Sequence, residues 1–197
     1  MVSCDEFGIS HILESYKNGQ IIAFPTDTVY GIGCDPFNRD SISRLYYLKK
    51  RSDEKRFPIL GLSKRELKKI VEFNPDAEKI SEKFWPGPVT LLLPIREEIS
   101  EKITSNGKLA VRVPNNECIQ SILKECKLII GTSANISGEE SILDSNELKI
   151  KLPEIDVLVN SGKITSPGES TIIDFIDNKL KIIREGSVSK DEIDDVL

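Results

Sequence analysis

Short apolar runs rich in β-branched residues recur along the chain, and turn residues such as glycine, proline, asparagine and aspartate separate them. Runs of this kind, bounded by turn residues, predict β-strands. Several of them, such as the leucines at 91–93, contain no alternating polar residues. Such runs favour strands that are buried on both faces and covered by helices. The predicted strands are residues 21–25, 58–62, 89–94, 109–114, 128–132, 157–160, 171–175 and 180–184.

Helical segments lie between these strands, and most begin at a residue whose side chain can cap the first turn. At Asn74 the cap is followed by proline, which suits the first helical position. The helices are predicted to begin at Ser10, Asp40, Ser63, Asn74, Asn115 or Asn116, Asp144 and Ser189. Helices and strands follow one another in an irregular order, so the sequence predicts an α/β fold with a mixed sheet.

Composition and spacing place limits on the class of protein. The 197 residues contain no repeat and no glycine- or serine-rich linker, so we expect one domain spanning 1–197. The net charge of −5 disfavours a protein whose main task is to bind nucleic acid, and phosphate binding would need locally placed cations. The first ten residues do not form a signal peptide, and no run is long enough to span a membrane. A cytoplasmic location with no membrane partner is therefore expected.

The cysteines give no sign of a metal centre. Cys4, Cys34, Cys118 and Cys126 form no CxxC pair, and His11 is the one histidine. A zinc site is therefore not expected. For a protein in the cytosol, the prediction is four reduced thiols.

Residues 24–33 carry hydroxyl groups and glycines at the end of a predicted strand. Thr26, Thr28 and Tyr30 could hydrogen-bond both the carboxylate and the amine of an amino acid. The alternative is a turn in which the threonines satisfy the local backbone. Thr90 follows a stiff turn with two prolines, and it is a further candidate for the same pocket.

Cations stand at the ends of several predicted elements. Lys49 and Arg51 end a helix, where they could bind phosphate or stabilise the helix dipole. Arg112 interrupts an apolar strand, so either that face of the strand is solvated or, as we favour, Arg112 points into a site where it meets a carboxylate. Arg184 ends the last strand and could reach a phosphate or form a surface ion pair.

The loop at residues 131–138 presents small residues, three hydroxyl groups and an amide after a buried strand. Such a loop can bind an anion, although it has no Walker lysine. Neither a catalytic triad nor a carboxylate cluster for a metal pair is evident. What the sequence offers is catalysis by positioning and by charge stabilisation, as at a phosphorus centre.

These segments together resemble the YrdC/TsaC family. The resemblance rests on seven blocks in order, which are residues 25–31, 49–51, 85–90, 111–114, 133–138, 170–171 and 183–186. It implies a YrdC/RibB-like fold, with an open twisted mixed sheet, flanking helices and a large central cavity, over a core of about residues 10–187. It also implies synthesis of L-threonylcarbamoyl-AMP and pyrophosphate from L-threonine, bicarbonate or CO2, and ATP with Mg²⁺. The product would feed threonylcarbamoyladenosine formation by tRNA-modifying partners, and weak tRNA binding is a further expectation.

The resemblance also implies roles for individual residues. Lys49 and Arg51 would be catalytic, and no metal would be held by protein groups alone. The implied ATP contacts are Lys49, Arg51, Lys55, Lys108, Ser133, Asn135, Ser141 and Arg184. The implied threonine contacts are Thr28, Arg112, Gly131 and Ser170.

The chain departs from the family pattern in places. Ser52 stands where a proline usually follows Arg51, and the segment 52–57 is longer and more charged than usual, which affects the assignment of Lys55. Two alternatives remain open on the sequence alone. One is a module that binds tRNA or double-stranded RNA without making an adenylate, and the other is a carbamoyltransferase that uses carbamoyl phosphate.

Overall fold

The computed structural model describes residues 1–52, 56–96, 107–166, 168–176 and 179–197. Within these ranges no helix combines the length and the apolar character needed to cross a bilayer. The helices there are α1 (Glu6–Lys17), α2 (Arg39–Lys49), α3 (Lys64–Leu67), α4 (Pro75–Phe84), α5 (Glu117–Cys126), α6 (Ser145–Lys151) and α7 (Lys190–Asp194). The strands there are β1 (Ile22–Phe24), β2 (Gly31–Gly33), β3 (Ile59–Gly61), β4 (Val89–Pro94), β5 (Lys108–Arg112), β6 (Leu128–Ile130), β7 (Thr132–Ser133), β8 (Val157–Leu158), β9 (Thr171–Ile176) and β10 (Lys179–Arg184).

The strands form two mixed sheets. The larger sheet has the order β10-β9-β4-β5-β3-β6, and the smaller has the order β7-β2-β1-β8. Parallel pairs (β4 with β9, β3 with β5, and β1 with β8) occur beside antiparallel ones. The predicted mixed α/β fold is confirmed, and its strands are divided between two sheets. The sequence reasoning missed β2 and β7, because two glycines in β2 and the short length of β7 give no strand signal.

The smaller sheet is buried on both faces, as continuous apolar strands require. Along β1, Ile22 and Phe24 pack with α1 and α5. Ala23, which points to the opposite face, packs with α2 and α6. The larger sheet uses one face for a core with α3, α4 and α7. Its other face is therefore available to form a wall of a pocket.

The helix caps agree with the prediction except at the first two helices. Ser63, Asn74, Asn116, Asp144 and Ser189 are N-caps, as predicted. The predicted starts at Ser10 and Asp40 were wrong, because capping side chains lie earlier in the chain. The Asp5 carboxylate accepts a hydrogen bond from the Gly8 N–H, and the Asn38 amide oxygen accepts one from Ser41.

A disulfide between Cys4 and Cys118 corrects the expectation of four reduced thiols. Their Cα atoms lie 5.7 Å apart although 114 positions separate them in the sequence. The N-terminal segment reaches α5 because the Val2 N–H donates to the Leu158 carbonyl oxygen at 2.9 Å, beside β8. Cys34 and Cys126 are free thiols. Spacing along the sequence cannot reveal a bond that depends on this tertiary contact.

We predict that the disulfide stabilises the fold. Cys4→Ser should lower the free energy of unfolding by about 2–4 kcal/mol, because a cross-link over a long loop reduces the entropy of the unfolded chain. Urea unfolding with and without dithiothreitol measures this loss, and Cys126→Ser is the matched control. An unfolding midpoint that is the same in reducing and oxidising buffer would contradict the prediction.

Candidate active site

The pocket lies between the two sheets, where the loop after β1 faces the ends of β5 and β9. It encloses about 760 Å³, including the part open to solvent. One wall follows a row of neighbouring residues across the larger sheet, where Leu60 pairs with Arg112 and Ile172 pairs with Arg184. The other wall comes from residues 26–31 and 131–133 of the smaller sheet and its loops. Strand register therefore brings together residues that are far apart in the sequence.

The threonines at 26 and 28 line the pocket, but they have different functions. The hydroxyl of Thr26 donates to the Val29 carbonyl oxygen at 2.7 Å and accepts from the N–H groups of Thr28 and Val29. Thr26 thus shapes the turn, as the alternative interpretation of this segment held. The hydroxyl oxygen of Thr28 instead accepts a bond from Arg112 at 3.0 Å.

Tyr30 is not brought to the pocket wall, contrary to the prediction. Its side chain is fully buried in the core of the smaller sheet. The hydroxyl donates to the Gly162 carbonyl oxygen at 2.9 Å and accepts from the Ser161 N–H at 3.0 Å. Both hydrogen-bonding functions of the phenol are therefore used within the fold.

Arg112 is held in place by contacts on three sides. Its Nε donates to the Gly87 carbonyl oxygen at 2.9 Å, and its Nη2 forms an ion pair with Asp27. The Arg112 side chain is buried, at 6% exposure, and the Asp27 side chain is partly buried, at 13%. Burial lowers the pKa of Arg112, and the charge of Asp27 opposes that shift. The carboxylate that the sequence reasoning expected Arg112 to meet is thus supplied by the protein itself.

Asp27 was not among the predicted site residues. Its Oδ1 also accepts the Asn115 N–H at 3.0 Å, whereas its Oδ2 is buried without a partner among the described residues. Asp27 lies inside a segment that the sequence singled out for its hydroxyl groups. A buried arginine that needs a partner was the signal that could have identified it.

Hydroxyl groups continue the polar wall onto β4 and β9. Thr90 donates to the Ser170 hydroxyl oxygen at 2.9 Å, and both residues line the pocket. Arg184 donates from Nη2 to the Ser170 carbonyl oxygen at 2.9 Å and from Nη1 to the Glu169 carboxylate. The other carboxylate oxygen of Glu169 accepts from the Ser141 hydroxyl. Ser141 and Arg184, two predicted ATP contacts, therefore meet at Glu169, which the sequence reasoning did not select.

Lys49 does not reach the pocket wall. Its buried ammonium group donates to the carbonyl oxygens of Ser133 and Asn135, at 2.6 and 2.7 Å, and to the Asn135 side-chain oxygen at 3.1 Å. These three acceptors match the three N–H donors of an ammonium group. The Ser137 N–H also donates to the Lys49 carbonyl oxygen. Lys49 therefore braces the loop 133–137, which presents Ser133 to the pocket.

The backbone leaves the helical path at Lys50, so the side chains of Lys49 and Arg51 are directed to different parts of the structure. Lys50 ends α2 in the left-handed conformation, with φ 48° and ψ 43°. Arg51 then lines the pocket, where its guanidinium lies 5.1 Å from the centre of the Phe57 ring and donates to the Arg56 carbonyl oxygen. Arg51 is thus held at the pocket by contacts with residues that follow it in the chain.

The remaining predicted residues fall in different places. Gly131 lines the pocket, and Asn135 is buried behind Ser133. Lys108 is not brought to the pocket wall, because its ammonium group is held by Asp174 and by the Phe175 carbonyl oxygen, at 2.6 and 2.7 Å. It begins β5, about 13 Å along the strand from Arg112. Lys55, a further predicted ATP contact, lies outside the described residues.

The described pocket wall carries three arginines and one carboxylate, that of Glu169. With its hydroxyl groups and the backbone of Gly131, it suits an anionic ligand that also bears polar groups. Within the described ranges, no group of three histidine, cysteine, aspartate or glutamate side chains is placed to hold a metal ion. The site can therefore position anions and stabilise developing negative charge.

We predict that the pair between Arg112 and Asp27 supports the fold. Arg112→Met should lower the free energy of unfolding by about 3–5 kcal/mol, because it leaves the buried Asp27 carboxylate without its cation. The double variant Arg112→Met/Asp27→Asn should recover part of this loss. Denaturant unfolding of the three proteins measures both effects. A loss below about 1 kcal/mol in the single variant would argue against a buried pair.

A second prediction concerns Lys49 and pH. Burial, assisted by the charge of Arg51, lowers the pKa of Lys49 from 10.5 to about 8. Between these two values the unfolded chain binds the proton more tightly, so the free energy of unfolding rises with pH in this window. In Lys49→Met this contribution is absent. The difference in unfolding free energy between wild type and variant should grow from pH 8 to pH 10 by roughly 1 kcal/mol per pH unit. The prediction would be contradicted if the unfolding free energies of wild type and Lys49→Met changed with pH in parallel.

The chain is similar to known proteins over most of its length. The Sua5/YciO/YrdC family model, described as telomere recombination, matches residues 14–186. A relative from Methanocaldococcus jannaschii is 34% identical over 174 residues, which are 87% of this chain and 82% of the relative. The threonylcarbamoyl-AMP synthase of Pyrococcus abyssi is 30% identical over 185 residues, which are 92% of this chain and 54% of that protein.

The fold has a close counterpart among solved structures. The crystal structure of P. abyssi Sua5 complexed with L-threonine superposes with a TM-score of 0.90 at 30% identity, over 98% of this chain and 58% of that one. The chain thus spans little more than half the length of the Pyrococcus proteins. Because the family model covers most of the chain and the pocket is built from blocks inside the matched range, this protein belongs to the Sua5/YciO/YrdC family.

Proposed function

We propose that the protein is a threonylcarbamoyl-AMP synthase, a nucleotidyltransferase that makes L-threonylcarbamoyl-AMP and pyrophosphate from L-threonine, bicarbonate or CO2, and ATP. The observation that carries the proposal is the convergence of Arg51, Arg112 and Arg184 with strand-end hydroxyl groups on one pocket. Further support comes from relatives that carry the name of this enzyme and from a Sua5 structure that binds L-threonine.

The threonine substrate would lie against Arg112. The N–H groups of this guanidinium attract the substrate carboxylate, while Asp27 fixes their direction. Thr28 and Ser170 offer hydroxyl groups, and the backbone of Gly131 lines the same pocket. Thr26 and Thr90 hold these hydroxyl-bearing segments in position. The substrate amine is then free to react with CO2 and form a carbamate.

The phosphates of ATP would lie between Arg51, Arg184 and the loop that carries Ser133. In this arrangement the carbamate oxygen attacks the α-phosphorus and pyrophosphate leaves. The arginines stabilise the charge that develops on the phosphate oxygens. Lys49 and Asn135 contribute by bracing the loop that presents Ser133. Ser141 would reach the nucleotide from the side of Glu169.

Magnesium fits this site as an ion that accompanies ATP. Mg²⁺ keeps several waters and usually takes one or two carboxylates together with substrate phosphates. The described wall provides hydroxyl groups and arginines, so the ligands of the ion would come mainly from the ATP phosphates and water. Bound with ATP, the ion would neutralise phosphate charge, and the arginines would orient the same phosphates.

The wider role follows from the product. Threonylcarbamoyl-AMP is an activated acyl donor, so a transfer reaction on tRNA consumes it to form threonylcarbamoyladenosine. We assign that step to separate tRNA-modifying partners in the cytoplasm, with at most weak tRNA binding by this chain. Residues 1–197 would act as one domain.

The direct test is mass spectrometry of the products after the protein is mixed with ATP, Mg²⁺, bicarbonate and L-threonine, with L-serine as a control substrate. We expect threonylcarbamoyl-AMP and pyrophosphate. Salt-dependent tRNA binding without any adenylate would favour an RNA-binding module. A product that forms only when carbamoyl phosphate replaces bicarbonate would favour a carbamoyltransferase.

Variants of Lys49 and Arg51 test the roles proposed for these two residues. Arg51→Ala and Lys49→Ala should each lower kcat/KM by far more than about tenfold, because the first removes a phosphate ligand and the second releases the Ser133 loop. Arg44→Ala, which removes a half-exposed arginine paired with Asp156 on the outer side of α2, is the matched control. Full activity in both site variants would count heavily against the proposed function.

A further inference from the structure

Two ion pairs on the pocket differ in how firmly they are held. Arg112 and Asp27 have side-chain exposures of 6% and 13%, and Asp27 also binds the Asn115 backbone. Arg184 and Glu169 have side-chain exposures of 41% and 34%. A half-exposed pair contributes little net stability, so one partner can be exchanged at small cost. The pair with Arg112 is therefore permanent, whereas the pair with Arg184 is replaceable.

The Glu169 carboxylate accepts hydrogen bonds from donors that an anionic ligand would need. One carboxylate oxygen accepts from Arg184 Nη1, and the other accepts from the Ser141 hydroxyl. Arg184 Nη2 and Nε are already directed at the Ser170 carbonyl oxygen. The donors aimed at Glu169 are the kinds that bind phosphate oxygens. A phosphate entering here would compete with the carboxylate for the same hydrogen bonds.

Glu169 also brings a negative charge to a wall that otherwise carries cations. Of the described residues that line the pocket, it is the single acidic one, beside Arg51, Arg112 and Arg184. A fixed negative charge attracts these cations in the empty pocket and repels an incoming phosphate. The same carboxylate therefore organises the anion site and opposes its occupation.

We propose that Glu169 is an internal counter-anion, a positioning residue that holds Arg184 and Ser141 in the empty pocket and is displaced when the phosphate groups of the nucleotide bind. This inference rests on the proposed function, because it assumes that the anionic ligand is a nucleoside triphosphate. The displacement of Glu169 lowers the affinity of the site for phosphate, since part of the binding free energy is used to separate Glu169 from its partners.

The experiment is isothermal titration of ATP into wild type and Glu169→Gln, first with EDTA and then with Mg²⁺. Gln keeps the shape of the side chain and removes its charge. We expect the variant to bind metal-free ATP about three- to tenfold more tightly. Glu140→Gln, which removes an exposed charge next to Ser141, should leave the affinity unchanged. Glu169→Ala, a second way to remove the charge, should also strengthen binding.

A thermal readout separates positioning from a general effect on folding. Without ligand, Glu169→Gln should melt at nearly the same temperature as wild type, because a half-exposed ion pair contributes little net stability. Saturating ATP should raise the Tm of the variant by more than it raises that of wild type. Equal shifts in the two proteins would overturn the inference.

The remaining outcomes are also decisive. If wild type binds ATP and Glu169→Gln binds it no more tightly, this inference alone fails. Weaker binding of the variant only in the presence of Mg²⁺ would assign Glu169 to the metal ion and overturn the counter-anion role. If neither protein binds ATP, the proposed function fails, and the inference fails with it.

Discussion

The buried guanidinium of Arg112 joins the two sheets at the pocket, and the rest of the site is arranged around it. Arg112 comes from the larger sheet, whereas Asp27 and Thr28 come from the loop between the two central strands of the smaller one. A buried cation without a partner would cost several kcal/mol, so these contacts fix the position of one sheet relative to the other. Because Asp27, Thr28 and the Gly87 carbonyl oxygen fix its direction, Arg112 is positioned by contacts within the protein itself.

Much of the fold could be predicted from the sequence, because apolar runs and caps are local signals. The strand at 89–94 and the caps at Asn74 and Ser189 follow directly from residue types. The two short strands of the smaller sheet could not be predicted, because they owe their pairing to neighbouring strands. The disulfide was also missed, since the contact between Cys4 and Cys118 depends on the tertiary pairing of the N-terminus with the region of β8.

The candidate site was predictable as a set of segments but not in its individual contacts. The blocks around Thr28, Arg112 and Ser170 do converge, because strand register places them on one wall. Residue type alone could not show that Lys49 would face a loop, or that Lys108 would pair with Asp174. Carboxylates were overlooked for a physical reason. A search for anion-binding groups favours cations, yet cations placed close together require internal negative charges such as Asp27 and Glu169.

The left-handed residue that ends α2 has a consequence for how this protein can evolve. Since Lys50 turns the backbone, its neighbours on either side serve two separate surfaces, one directed to the bracing loop and one to the pocket. The middle residue must tolerate this left-handed conformation, which suits glycine or asparagine and excludes β-branched side chains, and the number of residues between Lys49 and Arg51 is fixed as well. An insertion or deletion of one position here would move Lys49 or Arg51 away from its partners, so indels should be excluded from this tripeptide even where substitutions are accepted.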